Sequence, residues 1–160
     1  MSCYRSILVA LDGSADADAA LRHALDLVRD QNARLTLLTV VPPSPTPIGA
    51  GVPQPPDLTE IHQSILRDAL KGIPTDLGVV TRLEHGRVGE TILRAAESGE
   101  YDLLVMGSHG HGRVRRALLG SVSEHLLHSA TVPVLLMRAA AGNDRPSDPS
   151  QEASGVGGSR

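Results

Sequence analysis

The 160-residue chain has no phenylalanine and no tryptophan, and its only tyrosines are Tyr4 and Tyr101. The core must therefore be filled by Leu, Ile, Val and Ala. The same shortage argues against reading a single nucleic-acid strand by stacking its bases on aromatic rings. Cys3 is the single cysteine, so no intramolecular disulfide can form and a reducing compartment is expected. A basic surplus is missing as well: 15 Lys and Arg stand against 18 Asp and Glu, for a formal charge of −3. A general nucleic-acid binder would usually show a basic excess or patch. No apolar run approaches the ~20 residues of a membrane helix, and no apolar segment follows a basic N-terminal region as in a signal peptide. The expectation is a cytoplasmic protein with neither nucleic acid nor membrane as partner.

Two common nucleotide patterns are also lacking. No G-x-x-x-x-G-K-[S/T] occurs, so there is no P-loop lysine for the β- and γ-phosphates. The dinucleotide pattern G-x-G-x-x-G fails, because from Gly110 and Gly112 its third position falls on Arg115.

The length suits one domain, and what the chain does contain is an alternation of short apolar runs and helical stripes. Ser6–Leu11 is nearly continuous in its hydrophobicity, which suggests a strand covered on both faces, as in a parallel sheet. Ser14 can cap the helix that follows, with Asp16 and Asp18 in its first turn. Ala17, Ala20, Leu21, Ala24, Leu25 and Val28 form its apolar stripe. Leu35–Val41 reads as a second strand. From Asp57 a helix carries Leu58, Ile61, Ile65, Ala69 and Leu70, and ends at Gly72 and Pro74. Leu77–Leu83 reads as a third strand. His85 to Gly89 turns into a third helix bearing Ile92, Leu93 and Ala96, closed by Gly99. Asp102–Met106 is a fourth strand. A fourth helix, capped by Ser121, carries Val122, Leu126 and Leu127. Val132–Met137 is a fifth strand, whose Pro133 suits a strand start or an edge. Strand–helix repetition ending on a strand predicts an open, doubly wound α/β sheet of five parallel strands with helices on both faces.

Two segments stand apart. Residues 42–56 hold seven of the eleven prolines and cannot form a helix or a central strand; they are a tolerated surface insertion or a flap over a ligand. Residues 139–160 have almost no large apolar residue and read as a disordered tail after a domain spanning 1–138.

The chemistry is expected in the loop after the fourth strand. The apolar run ends at Gly107, Gly110 follows, and after nine further residues come Gly120 and Ser121. Such a loop lets backbone N–H groups converge on an anion at a positive helix N-terminus. In open α/β sheets ligands sit beyond the carboxyl ends of the strands, where strand order reverses. If the first and fourth strands are neighbours there, Asp12 and Gly107 line one crevice. Ser121 and Glu124 also fit a capping box, which would compete for the Ser121 hydroxyl. His109 and His111 are too few for a protein metal site, so a phosphate-facing His109 is the preferred reading. His125 and His128 share a helix face and read as surface residues. Arg113, Arg115 and Arg116 either cover a triphosphate or are solvated loop charges.

This pattern, G-x-x-G, nine residues, then G-S, resembles the ATP-binding branch of the universal stress protein family. The resemblance extends over residues 1–138: Asp12-Gly13-Ser14 after the first strand, Val40-Val41-Pro42 after the second, Gly86-x-x-Gly89-x-x-Ile92, and Val132-Pro133-Val134. It implies an adenine-nucleotide alpha-hydrolase-like fold with strand order 3-2-1-4-5. Backbone groups near Val40 would meet the adenine edge, and Asp12 and the Gly107 carbonyl the ribose. Gly110, Gly120, Ser121 and Val122 would bind phosphates. Ala10, Leu11, Met106, His109 and Ser123 complete the expected nucleotide-binding set. ATP is the implied cofactor, with Mg²⁺ carried in by its phosphates and Asp12 as a possible contact. No general base or catalytic lysine is evident, so at most slow hydrolysis is expected and no catalytic residue is assigned. The implied protein is a regulatory, stress-response ATP binder, dimeric through its last strand. Two alternatives are a nucleotide-independent interaction module, which would lack the full glycine pattern, and a nucleotidyl transferase or pyrophosphatase, whose H-x-G-H or S-G-G-x-D-S signatures do not occur here.

Overall fold

The computed structural model describes residues 3–44, 57–110 and 119–140. Its elements run β1 (Ser6–Ala10), α1 (Ala15–Gln31), β2 (Arg34–Val41), α2 (Leu58–Lys71), β3 (Val79–His85), α3 (Val88–Ala96), β4 (Leu103–Gly107), α4 (Ser121–Ser129) and β5 (Val134–Met137). All strand pairings are parallel, and the strand order is β3-β2-β1-β4-β5. The doubly wound sheet expected from the alternation is therefore present, with the order expected of the family.

The apolar runs are continuous because each strand must satisfy two faces at once. Ile7, Val9, Leu35, Leu37, Leu103 and Val105 point to one side and pack against α1 and α2. Leu8, Ala10, Leu38, Val40, Leu104 and Met106 point to the other and pack with residues of α3 and α4, notably Ile92, Ala95, Ala96 and Leu126. Alternation along each strand makes this division automatic. In place of aromatic bulk, many small helix residues allow close approach: Ala17, Ala20 and Ala24 of α1 are at most 2% exposed. The α1 stripe is as expected, and Ser14 caps it by accepting the Ala17 N–H at 3.2 Å. Asp102 anchors the amino ends of β1 and β4 by accepting the N–H groups of Arg5 and Ser6.

Four local expectations are corrected. The apolar positions of α2 include the buried Leu66, whereas Ile61 and Leu70 are exposed; α2 packs mainly on β2 and, more lightly, on β3 at the sheet edge, so its buried stripe is narrow. The third strand begins at Val79, because the Leu77 N–H is tied into a turn with the Pro74 carbonyl. The fifth begins at Val134; Pro133, without a donor, offers only its carbonyl, to the Leu104 N–H. The third helix stops at Ala96, with Glu97 as its C-cap, and Gly99 lies in the turn beyond it at φ +85°.

The proline-rich stretch from Pro45 to Pro56, the segment holding Arg113, Arg115 and Arg116, and the tail from residue 141 lie outside the described residues. Among the described residues no helix is long and apolar enough to cross a membrane.

The division of the core sets a stability contrast. Leu104→Ala removes a fully buried side chain between β1 and β5 and should cost about 2–5 kcal/mol. Val80→Thr, on an exposed strand face, should stay within about 0.5 kcal/mol. Urea unfolding of the two variants checks the contrast.

Candidate functional site

Strand order reverses at β1, which has β2 on one side and β4 on the other. The loops leaving β1 and β4 therefore part, and a cleft of about 920 Å³ opens at their carboxyl ends, a usual size for a small-molecule site.

The floor is set by a close contact. β4 ends at Gly107, and a Cβ there would lie 2.8 Å from the Ala17 nitrogen and 2.8 Å from Asp16 Cβ. Only glycine lets the strand end pass so near the first turn of α1. The chain then turns through Ser108 and His109, and Asp16 holds both. Its Oδ2 accepts the Ser108 hydroxyl at 2.8 Å and the His109 N–H at 3.1 Å, with His109 Nδ1 at 3.3 Å. Its Oδ1 accepts the Ala139 N–H at 2.8 Å, just past β5. Burial pushes the Asp16 carboxyl up, but these hydrogen bonds outweigh it and hold the group below its ordinary range.

Asp12 stands opposite. Its Oδ1 accepts the Ser14 N–H at 2.9 Å, and Gly13 makes the turn at φ +81°. A Cβ on Gly110 would come within 2.9 Å of Asp12 Oδ2, so Gly110 and Asp12 face each other directly. Ser14 closes the corner by donating its hydroxyl to the His109 carbonyl at 3.3 Å.

The far wall is the start of α4. The expected capping box is not formed. Gly120, not Ser121, is the N-cap, and no side chain caps the helix. The Gly120 N–H donates to the Ser108 carbonyl at 2.8 Å and its own carbonyl accepts the Glu124 N–H at 2.9 Å. This pinning starts the helix one residue early, so Ser121 is already in the first turn. Its hydroxyl is thereby released from the N3 amide, and the first-turn N–H groups of Ser121, Val122 and Ser123 are left at the helix's positive end. The Ser123 hydroxyl is shared between the Gly107 and Ser108 carbonyls, 3.1 Å from each.

The end of β2 supplies a second kind of wall. Leu38 turns its carbonyl toward β1, where it accepts the Leu11 N–H, and Val41 turns its carbonyl toward the Gly86 N–H. Backbone groups alternate along a strand, so Val40 turns its N–H and C=O to the β1 side. The last ladder pair there is Ala10 with Leu38. Val40 therefore offers a donor and an acceptor beyond the end of β1.

All twelve residues expected to bind a nucleotide line this one cleft: Ala10, Leu11, Asp12, Val40, Met106, Gly107, His109, Gly110, Gly120, Ser121, Val122 and Ser123. His109 lines it with Nδ1 turned toward Asp16 and Ser108. Among the described residues no group of three His, Cys, Asp or Glu could hold a metal ion. His125 packs against α3: a Cβ on Gly89 would meet its ring at 3.0 Å. His128 bonds the Glu124 carbonyl at 2.8 Å.

Sequence reasoning missed two residues. Asp16 was legible only as a favourable charge at a helix start. His62, on the second turn of α2, also lines the cleft, with Nδ1 2.7 Å from the Thr39 hydroxyl. Burial lowers its pKa, with His85 acting in the same direction and Asp12 opposing. A polar residue beside Ile61 in an apolar stripe was the only available signal.

The lowered Asp16 pKa fixes a sign. Above 3.8, the ordinary value, both folded and unfolded chains carry the carboxylate, and its hydrogen bonds contribute fully. Below 3.8 the unfolded chain takes up the proton first, so this contribution is lost as pH falls through the folded value. Asp16→Asn should cost about 1–3 kcal/mol at pH 7. The difference from wild type should shrink as pH drops below 3.8. Urea midpoints across pH 3 to 7 give the measurement; a difference independent of pH would exclude the carboxylate as its source.

Residues 3–138 match the model of the universal stress protein family. A universal stress protein of Methanothermobacter thermautotrophicus is 35% identical over 142 residues, covering 84% of this chain and 96% of its own. A solved member of the family from Burkholderia pseudomallei is 34% identical with a TM-score of 0.66, covering 88% of this chain and 99% of that one. Two more distant structures share the fold. A universal stress protein in complex with cAMP has 23% identity and a TM-score of 0.65, covering 87% of this chain and 100% of its own. An Arabidopsis thaliana family member with AMP bound has 20% and 0.61, covering 91% and 98%. The sheet order, the glycine-framed loop and the match over nearly the whole chain agree, and the chain belongs to the universal stress protein family.

Proposed function

We propose that this protein binds ATP in the cleft between β1 and β4 and acts as a nucleotide-dependent regulatory protein of the stress response rather than as a fast enzyme. The observation that carries the reading is the convergence of Asp12, Val40, Gly110 and the uncapped start of α4 on one cleft. Each end of a nucleotide has a chemically matched wall there. The Val40 N–H and C=O complement an acceptor–donor pair on the adenine edge. Asp12 and the Gly107 carbonyl accept from ribose hydroxyls. The glycines at 110 and 120 let phosphates approach the backbone closely, and the α4 N-terminus favours their charge. The adenine nucleotides bound by the two structural relatives support this class of ligand.

Mg²⁺ would enter with the triphosphate. No three acidic, His or Cys side chains of the described residues group as a metal cage, which fits an ion held mainly by phosphate and water with Asp12 as a contact. The residues of this chain orient the nucleotide and exclude water from its base. The Ser121 hydroxyl, free of the N3 amide, adds a phosphate donor.

Dimerisation belongs to the same reading. β5 pairs with β4 on one side, lies at the end of the sheet and consists of half-buried Val134, Leu135, Leu136 and Met137. An apolar edge strand is stabilised by covering it, and pairing of two β5 edges about a two-fold axis does so.

Two experiments test the proposal. Calorimetric titration of ATP with Mg²⁺ into nucleotide-stripped protein should show binding. Gly110→Glu should reduce affinity at least 100-fold, because the carboxylate meets Asp12 and repels phosphate. Equal affinity in the variant would displace the phosphate site from this loop, and no wild-type binding would remove the function. Light scattering should give a dimer at micromolar concentration, weakened by Leu135→Lys; a wild-type monomer would rule the interface out.

A further inference from the structure

Resting on the proposed nucleotide site, we propose that His62 is a ribose-recognition residue, its Nε2–H donating to the same sugar hydroxyl whose proton Asp12 accepts. Three features of the fold place it there. His62 rises from the second turn of α2 and lines the cleft together with Asp12 and Val40, and it feels the charge of Asp12. Its ring is held in orientation, because Nδ1 lies 2.7 Å from the hydroxyl of Thr39. Thr39 is itself 1% exposed, at the end of the central part of β2.

The Thr39 contact also decides which nitrogen carries the proton. His62 Nδ1 is the only hydrogen-bond partner described for the Thr39 hydroxyl. A buried hydroxyl must place its hydrogen on an acceptor, so Thr39 donates and Nδ1 accepts. The neutral ring then carries its proton on Nε2, and among the described residues Nε2 has no hydrogen-bond partner. Protonating the ring would put a second hydrogen between Nδ1 and Thr39 and orphan the buried hydroxyl. Burial of the ring opposes the charge in the same direction. The charged and titratable groups facing His62 are Asp12 beyond β1 and His85 at the end of β3; the former favours the cation and the latter disfavours it. From α1, Asp18 and Arg22 line the same cleft, and α2 itself adds Asp68. The cleft thus presents a neutral donor at His62 and a carboxylate acceptor at Asp12 in one lining.

That pairing matches the chemistry of one hydroxyl, which both donates and accepts. A carboxylate alone can take the hydroxyl proton but leaves the oxygen lone pairs unused. A donor beside it uses both functions of the group and penalises a nucleotide in which the hydroxyl is replaced by hydrogen, since both buried polar groups then lose a partner. His62 would therefore make the site selective for a ribonucleotide over its deoxy counterpart.

The experiment is a titration of the full-length protein with ATP, 2′-deoxy-ATP and 3′-deoxy-ATP, each with Mg²⁺, for wild type, His62→Ala and His62→Gln. Wild type should bind ATP about 10-fold or more tighter than at least one of the deoxy analogues. His62→Ala should weaken ATP binding about 10-fold while leaving that analogue nearly unchanged, so the preference collapses toward one. His62→Gln places an amide N–H near the position of Nε2 and should restore part of the preference. A purely structural role would weaken all three nucleotides alike and leave the ratio intact. An unchanged ratio in His62→Ala, whether affinity falls or not, overturns the inference. So does a wild type without preference for either hydroxyl. Failure of wild type to bind any of the three removes the nucleotide site itself, and this inference with it, which separates the two readings.

Discussion

The close packing of the β4 end against the first turn of α1 is the contact on which the site depends. Gly107 permits it, because any Cβ would collide with backbone that cannot move aside. Asp16 then exploits it. One carboxylate gathers the Ser108 hydroxyl and the His109 backbone on one oxygen and the Ala139 N–H on the other. Two segments far apart in sequence are thereby tied to the start of α1: the loop after β4 and the chain leaving β5. A carboxylate so placed sits at the positive end of α1 as well. It is stable as an anion because its lone pairs are used, despite burial that by itself would oppose the charge.

This arrangement leaves the opposite helix end for other work. α1 has its Ser14 cap and its acidic first turn, so its dipole is satisfied internally. α4 has a glycine at the N-cap and no side-chain cap. Two helix N-termini thus border the same cleft, one neutralised and one open. The open one is held in place by backbone, through Gly120 to the Ser108 carbonyl, and by the buried Ser123 hydroxyl bridging to Gly107 and Ser108. The wall that presents the positive end is therefore rigidly linked to the strand end that presents Gly107. The end of the cleft at β2 is built differently, from strand backbone at Val40 and the Thr39–His62 pair.

The edge strand connects to this machinery by only a few bonds. β5 pairs with β4, its Met137 carbonyl accepts the Ser108 N–H, and two residues later the chain reaches Asp16. No added element is needed to bring the edge strand and the loop after β4 into contact.

By itself the sequence determined the elements and their layers. Continuous apolar runs require strands covered on both faces, helical stripes require amphipathic helices, and the glycine spacing after β4 identifies a loop able to admit phosphate near backbone. These are local signals of period and conformational freedom, readable one segment at a time. Gly107 and Gly110 were legible for that reason, whereas the roles expected of Asp12 and Val40 came from the family resemblance. Only the tertiary structure decided what depends on distance between segments. It moved the α4 cap from Ser121 to Gly120, because the bond from Gly120 to Ser108 outranks a side-chain cap that propensity favours. It turned Asp16 from a helix-dipole charge into the anchor of the loop, because β4 is brought beside α1. It brought His62 against Thr39 and into the cleft that Asp12 lines, because α2 packs on β2. None of these follows from composition or spacing, since each is a contact between residues that the chain alone holds far apart.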